Sequence, residues 1–294
     1  MDGTAHHKQE GVERPSLYVV ATPIGNLADI TLRALEVLKR VAMIAAEDTR
    51  VTSRLLGHYG IATPLISLHE HNERRAAQKV LRLLEQGKSV ALVSDAGTPG
   101  ISDPGAITVA LVRGAGYTVV PVPGANAAVC ALSGAGAATA HFLYFGFLPQ
   151  RKAARRRELA ALKTLPYPMV FYEAPHRVMA SINDMAEAFG AARSITIARE
   201  LTKLFETIHT CTLGEAAMWL AADPHRIKGE FVLLVEGAVA SIADPGAAQR
   251  VLETLLRELP LKQAVKLAAE ISGGKRNELY KLALALRKRV SGKP

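Results

Sequence analysis

The sequence predicts an α/β protein: two α/β domains, the first on a mostly parallel sheet, followed by a small helical, basic C-terminal extension. Two observations carry that prediction. Apolar runs of four to six residues, rich in Val, Ile, Leu and Ala, alternate with segments of helical period, and nearly every run stops at a loop of distinctive polar, Gly or Pro residues. Beyond Ser241 only helical period remains, with eleven Lys/Arg against five Asp/Glu. The expected divisions are a polar leader over 1–15, a first domain over 16–129, a second over 130–240 and the extension over 241–294.

In the first half, Leu17–Ala21 leads into a loop from Thr22 to Thr31, and Ala42–Ala46 into Glu47-Asp48-Thr49-Arg50. Leu65–Leu68 leads into His69-Glu70-His71-Asn72-Glu73, Ser89–Val93 into a loop running to Gly105, and Thr118–Val122 into Pro123-Gly124-Ala125-Asn126-Ala127. Between the runs, Leu32–Val41, Val51–Tyr59, Arg74–Gln86 and Asp103–Gly114 have helical spacing. Asp29 or Thr31 is the expected cap of the first helix, Asn72 of the third and Asp103 of the fourth. Strands that alternate with helices build a parallel sheet, because each crossover helix returns the chain to the same edge. All five loops then lie at the carboxyl ends of their strands, where open α/β sheets bind ligands.

The most informative loop is VALVSDAGTPGISDPG, Val90–Gly105, with three glycines and two prolines inside nine residues. Glycine admits close backbone approach to a bound molecule and proline fixes φ, so the stretch reads as a rigid, ligand-facing loop. It holds neither Gly-x-Gly-x-x-Gly nor Gly-Lys-Ser/Thr, which argues against a dinucleotide or P-loop site.

In the second half, Leu143–Leu148, Pro168–Tyr172, Ser194–Ala198 and Phe231–Val235 read as strands, with a basic helix from Arg151 to Leu162. Ala238–Gly246 reads as a linker, and Ala248–Leu259, Leu261–Ile271 and Asn277–Leu286 as helices with the turn Gly273-Gly274-Lys275-Arg276 between the last two. Gly114–Gln150 carries no Asp, Glu, Lys or Arg, yet its prolines, glycines and alanines mark a buried strand, loop and helix, not a membrane span. Cys130 and Cys211 stand far apart and outside metal-ligand spacing; with no signal peptide, a reduced, cytoplasmic protein is expected. The net charge of +9 suggests a polyanionic partner, and its densest clusters are Arg151, Lys152, Arg155, Arg156 and Arg157, and the extension with Lys275 and Arg276. Solvated helix faces are the plainer explanation of both clusters. His69 and His71 share a strand face but no third ligand stands out, so no metal is expected.

The segments ATPIGNLADITLRAL, AAEDTRVTSRLL, HEHNE, VALVSDAGTPGISDPG, VPVPGANAAV, FGFLP, YEAPHR, ARELTKLFE and KGEFVLLVEG, together with LPLKQAVKLAAEISGGKRNELYKLAL, resemble the ribosomal RNA small subunit methyltransferase I family. Its members are cytidine 2′-O-methyltransferases of small-subunit (16S) ribosomal RNA within the tetrapyrrole methylase superfamily. The resemblance implies the tetrapyrrole methylase fold, a homodimer, small-subunit RNA in the assembled 30S subunit as partner, and S-adenosylmethionine as cofactor. It implies cofactor contacts from Ile24, Gly25, Gly97, Gly100, Ile101, Asn126 and Ala127, and from Tyr172, Ala198 and Glu230 in the second domain.

A ribose hydroxyl is a weak nucleophile, so a base or a cation beside the developing alkoxide should assist. The strand-end carboxylates are Glu47, Asp48, Asp95, Glu173 and Glu200, and the cations Arg50, Arg177, Arg199 and Lys203. Glu200 with Lys203 is the favoured catalytic pair, with Glu173 as a further candidate; internal salt-bridged caps are the equal alternative for each. Two other functional classes stay open: a tetrapyrrole C-methyltransferase on the same scaffold, and a non-enzymatic ribosome-assembly binder. For the extension, a helix-turn-helix docking RNA phosphates stands beside a dimer-stabilising helical cap.

Overall fold

The structure, a computed structural model, describes residues 14–136, 140–238 and 245–291. The leader expected over 1–15 therefore lies outside the described residues apart from Arg14 and Pro15; of the linker expected over Ala238–Gly246, residues 239–244 lie outside them too, while Pro245 and Gly246 already belong to a helix. The described residues form two compact units: 14–136 and 140–163 with 167–236, and 164–166 with 237–238 and 245–291. Both sheets belong to the first unit.

The first sheet has the order β3-β2-β4-β1-β5, all parallel, from β1 (Ser16–Val20), β2 (Met43–Ala46), β3 (Leu65–Ser67), β4 (Val90–Val93) and β5 (Thr118–Val122). Connecting them are α1 (Leu32–Arg40), α2 (Thr49–His58), α3 (Glu73–Glu85) and α4 (Ala106–Gly114). Alternate strand residues serve opposite faces. Val20, Ala91 and Val93 pack with Val37 and Leu38 of α1, whereas Leu17, Val90 and Leu92 pack with Val80 and Leu84 of α3. Burial on both faces is why these strands read as unbroken apolar runs.

Two of the expected caps differ. Thr31 caps α1 through the Ala34 N–H, as read. Asn72 holds the cap position of α3, but its Oδ1 accepts from the His69 N–H at 2.9 Å instead of from the helix. Asp103 does not cap α4, which begins only at Ala106. The buried Glu73 carboxylate does so from α3, accepting from the Gly105 and Thr108 N–H groups, each at 3.0 Å. A carboxylate at a helix N-terminus satisfies orphan donors and meets the positive end of the dipole.

α5 (Ala127–Gly134) follows β5 and is capped by Asn126, whose Oδ1 accepts from the Ala128 and Val129 N–H groups. Ala128 and Ala131 pack against Val170, Ala198, Val232 and Leu234 of the second sheet. That sheet has the order β6-β7-β10-β8-β9, from β6 (Leu143–Phe147), β7 (Met169–Glu173), β8 (Ser194–Arg199), β9 (Thr207–Thr212) and β10 (Phe231–Val235). Only β6 and β7 are parallel, joined by α6 (Lys152–Leu162); the remaining pairings are antiparallel. α7 (Val178–Phe189) and α8 (Leu213–Ala221) complete this half. The edge strand β9, TIHTCT, escapes sequence reading because it lacks a long apolar run.

The second unit holds α9 (Pro245–Glu258), α10 (Leu261–Ser272) and α11 (Arg276–Ser291) around their own core of Leu252, Val265, Leu279 and small alanines. α10 stops at Gly273, whose left-handed φ of 67° lets its N–H reach Ala269 O. No described helix is long and apolar enough to cross a membrane.

Candidate active site

Three loops at the carboxyl edge of the first sheet are stitched together by backbone and hydroxyl bonds. Thr22 and Gly97 exchange N–H···O bonds of 2.9 and 3.0 Å, and the Thr98 hydroxyl donates to Ala125 O at 3.1 Å. They form one side of a cavity of about 450 Å³, closed on the other side by residues of the second sheet. That size lies within the range of small-ligand sites, about 300–1,000 Å³.

Seven of the ten expected cofactor contacts line it: Ile24, Gly97, Ile101, Asn126, Ala127, Tyr172 and Glu230. Gly25, Gly100 and Ala198 do not. Ala198 is fully buried behind the wall, among Ile24, Leu201 and Val232. Gly100 borders a neighbouring groove with Val19, Pro99 and Arg113. Gly25 is a packing position: a Cβ there would come within 2.5 Å of Lys203 Cγ and 2.9 Å of Leu201 O. Only glycine lets the loop after β1 and the turn after β8 meet so closely.

The cavity combines carboxylates with apolar walls. Glu47, Asp95 and Asp103 line it together with Glu173 and Glu230; Ile24, Leu201 and Val232 are its walls, and the half-exposed Phe147 stands at its mouth. The Asp95 N–H donates to Glu47 at 3.3 Å, and Asp95 accepts from the Asp48 N–H at 2.9 Å. Burial pushes the Glu47 and Asp95 carboxyls above their ordinary range, and the crowding of like charge adds to it. Asp103 is pushed up to about 6, first by burial and then by the charge of Glu47. Asp48, by contrast, is held down at about 2 by hydrogen bonds from Arg50, and the Arg50 side chain is 84% exposed. Asp103 is the residue that sequence reading missed as a site group. Its signal was present, a carboxylate inside the Gly/Pro loop, but it was assigned to a helix cap.

The favoured catalytic pair is held behind the wall. Glu200 accepts from Lys203 Nζ at 2.9 Å and from the Glu230 N–H at 2.9 Å, and Lys203 also donates to Glu230 at 3.0 Å. Burial raises Glu200, but the bonds from Lys203 and Glu230 outweigh it and hold its carboxyl below the usual range. Glu200 and Thr202 both have left-handed φ, 53° and 65°, and Ser102 at the cavity has 63°. Such backbone is costly and gathers at functional sites. Glu173 borders the cavity, but its carboxylate accepts from the Ser181 hydroxyl and the Ala174 N–H and pairs with Arg177 at 3.2 Å. Arg199 is buried and donates to the carbonyls of Phe205, His225 and Lys228.

Residues 16–217 match the family profile described as Tetrapyrrole (Corrin/Porphyrin) Methylases, and 242–287 match one described as the RsmI C-terminal HTH domain. The "Ribosomal RNA small subunit methyltransferase I" of Escherichia coli O157:H7 is 51% identical over 279 residues, covering 95% of this chain and 98% of its own. The protein of that name from Pseudomonas aeruginosa PAO1 is 51% identical over 272 residues, 92% and 96% of the two chains. The chain belongs to the ribosomal RNA small subunit methyltransferase I family. The fold of this family is shared with solved methylases of low identity. Cobalt precorrin-4 methyltransferase CbiF superposes with a TM-score of 0.59 at 16% identity, over 78% of this chain and 98% of that one. The methyltransferase CobJ does so at 0.58 and 21%, over 76% and 95%.

In this family member the five cations of the 151–157 cluster are not equivalent. Arg151, Lys152 and Arg157 are exposed. Arg155 is buried and reaches Asp184 at 2.6 Å, and Arg156 donates to the same carboxylate at 2.8 Å and pairs with Glu187. Arg155 therefore braces α6 on α7 and has no surface to offer RNA, a correction to the reading of the cluster as one docking face. Lys275 and Arg276 stand exposed at the turn before α11. His69 and His71 lie with ring centroids 6.0 Å apart, and the described residues contain no group of three His, Cys, Asp or Glu able to hold a metal ion.

Proposed function

We propose that the cavity binds S-adenosylmethionine and that the protein methylates small-subunit ribosomal RNA, with a cytidine ribose 2′-hydroxyl as the acceptor. One observation carries the reading. An apolar-walled cavity with three crowded carboxylates occurs in the same chain as a basic extension matching a helix-turn-helix profile. The relatives' names supply the acceptor class. The low-identity tetrapyrrole methylases share the fold alone, so they do not favour a porphyrinoid substrate.

The residues present fit the cofactor. Glu47, Asp95 and Asp103 suit a molecule that carries positive charge, and Ile24, Leu201 and Val232 suit its apolar faces. Bound there, S-adenosylmethionine supplies a methyl group on a cationic sulfur, open to in-line attack by oxygen. The chain's own work is largely positioning, which is worth several kcal/mol of barrier, on the order of 7–11 in well-oriented cases. Asp103 lines the cavity with its carboxyl pushed up to about 6, and is the carboxylate assigned to accept the acceptor hydroxyl's proton as the oxygen–methyl bond forms and the sulfur–methyl bond breaks. Glu200 and Lys203 hold the wall that carries Leu201 and Glu230, and Glu173 holds the loop of Ala174 and Pro175.

The same reading includes a cytoplasmic homodimer acting on the assembled small subunit. The adjacent Leu204 and Phe205, 90% and 69% exposed after β8, support self-association. The test is calorimetry with S-adenosylmethionine, then labelled methyl transfer to small-subunit particles, naked RNA and a porphyrinoid, with mass mapping of the modified nucleotide. Absence of cofactor binding, or transfer to the porphyrinoid alone, would overturn it.

A further inference from the structure

The strand β6 carries an irregularity whose effect falls on the cavity mouth. Its pairing with β7 shifts register between Tyr144 and Gly146, so that Tyr144 opposes Val170, Gly146 opposes Phe171 and Phe147 opposes Tyr172. In a regular strand, residues three apart point to opposite faces; one inserted residue brings Tyr144 and Phe147 to the same face. Both rings stand edge-on to Tyr172, with centroids 5.2 and 5.7 Å away, while Phe145 packs with the fully buried Phe171 on the other side. The bulge is locked from the first sheet. Gly146 has φ of 80°, and a Cβ there would come within 2.7 Å of Ser102 Oγ, which is hydrogen-bonded to Tyr144 Oη at 2.5 Å. Tyr172 beneath is fixed too, its hydroxyl accepting from the Ala128 N–H at 3.1 Å.

The result is an aromatic ring that is rigidly mounted, lines the cavity and is still 51% exposed. Leaving that much apolar ring in water is unfavourable unless something covers it. The chemistry of the surroundings selects the cover. The carboxylates Glu47, Asp95 and Asp103 repel phosphates from the interior, and the exposed cations Arg151 and Lys152 follow Phe147 within five residues. An exposed aromatic platform followed in the chain by exposed cations suits an unstacked nucleobase with its backbone outside.

We propose that Phe147 is the stacking platform for a nucleobase of the acceptor RNA, at the mouth of the methyl-donor cavity. The assignment rests on the proposed function and adds a base subsite to it. Such a platform holds the nucleotide so that its ribose faces inward and its phosphates stay outside the acidic cavity.

The test compares F147A, F147L and F147W with the unsubstituted protein, using calorimetry with S-adenosylmethionine and kcat/KM on unmethylated small-subunit particles. F147A and F147L should lower kcat/KM about tenfold or more, the loss of one base–aromatic stack, with cofactor Kd unchanged. F147W, which restores a π face, should recover most of the F147A loss and show fluorescence quenched by a cytidine-containing oligoribonucleotide. Unimpaired transfer by F147A and F147L would overturn the subsite and leave the methyl-transfer reading standing. A parallel rise in cofactor Kd would also overturn it, placing the cofactor's own adenine on the ring. Absence of transfer by the unsubstituted protein would overturn the parent reading, and the subsite with it.

Discussion

Asp103 illustrates how much a single side chain depends on its surroundings. Folded and unfolded chains both hold its proton well below pH 4. Between about 4 and 6 the unfolded chain has released it while the folded chain keeps it, so rising pH through that window reduces stability. Above about 6 the penalty is constant. D103N should therefore melt higher than the parent at pH 8, with the difference vanishing by pH 4. Cofactor binding should respond in the opposite sense: affinity for a cationic ligand rises as Asp103 ionises through about pH 6, and calorimetry on D103N should show that rise abolished. Glu200 admits an equally sharp test. As a wall-holding residue, E200Q should weaken S-adenosylmethionine binding several-fold and leave the rate at saturating cofactor close to the parent's. Loss of the saturated rate with Kd unchanged would instead make Glu200 the proton acceptor. The sequence marked Glu200 correctly as a strand-end carboxylate, but whether its oxygens face the cavity or a lysine was not legible. Its partners decide that: Lys203, three residues on, and the Glu230 N–H, thirty residues on.

At the scale of elements, the strands and most helices of the first half are readable because the central strands β2 and β4 are buried on both faces and the helices bury one face. Their punctuation is less so. The cap of α4 comes from Glu73 on the neighbouring helix α3, and no local pattern announces it. The second sheet was read as another strand-loop-helix repeat, yet only its β6–β7 pair is parallel. A run such as Phe231–Val235 reads the same whichever way its neighbours point. The α6–α7 contact offers the clearest stability prediction. Asp184 is raised by burial but brought below its ordinary range by Arg156 and Arg155. R155A leaves a buried carboxylate with one partner and should cost about 3 kcal/mol, seen as a lower denaturant midpoint with an unchanged slope.

For the whole molecule, the charge asymmetry read from composition separates into parts with different duties. The second unit has its own small core and exposes Lys275 and Arg276 at the turn before α11. If that turn tracks phosphates, K275E/R276E should weaken binding to small-subunit RNA and flatten the logarithmic salt dependence by about 0.9 per cation lost. Binding measured across a salt series by filter retention checks this, and S-adenosylmethionine affinity should not move. An unchanged slope would assign the extension to self-association instead.

The order of apolar runs and helical segments, the five strand-end loops and the excess of cations past Ser241 were all properties of local sequence. Periodicity and glycine–proline punctuation encode them directly, and they determined the α/β class, the general place of the site and the helical tail. Tertiary structure alone decided the rest. It buries Asp103 beside two other carboxylates and so pushes it up to about 6, draws Arg155 out of a basic cluster into a buried pair, and turns Phe147 toward the cavity through a bulge pinned by Ser102. Each of these depends on groups far apart in the chain, and a charge or a ring acquires its chemical role only from what is packed against it.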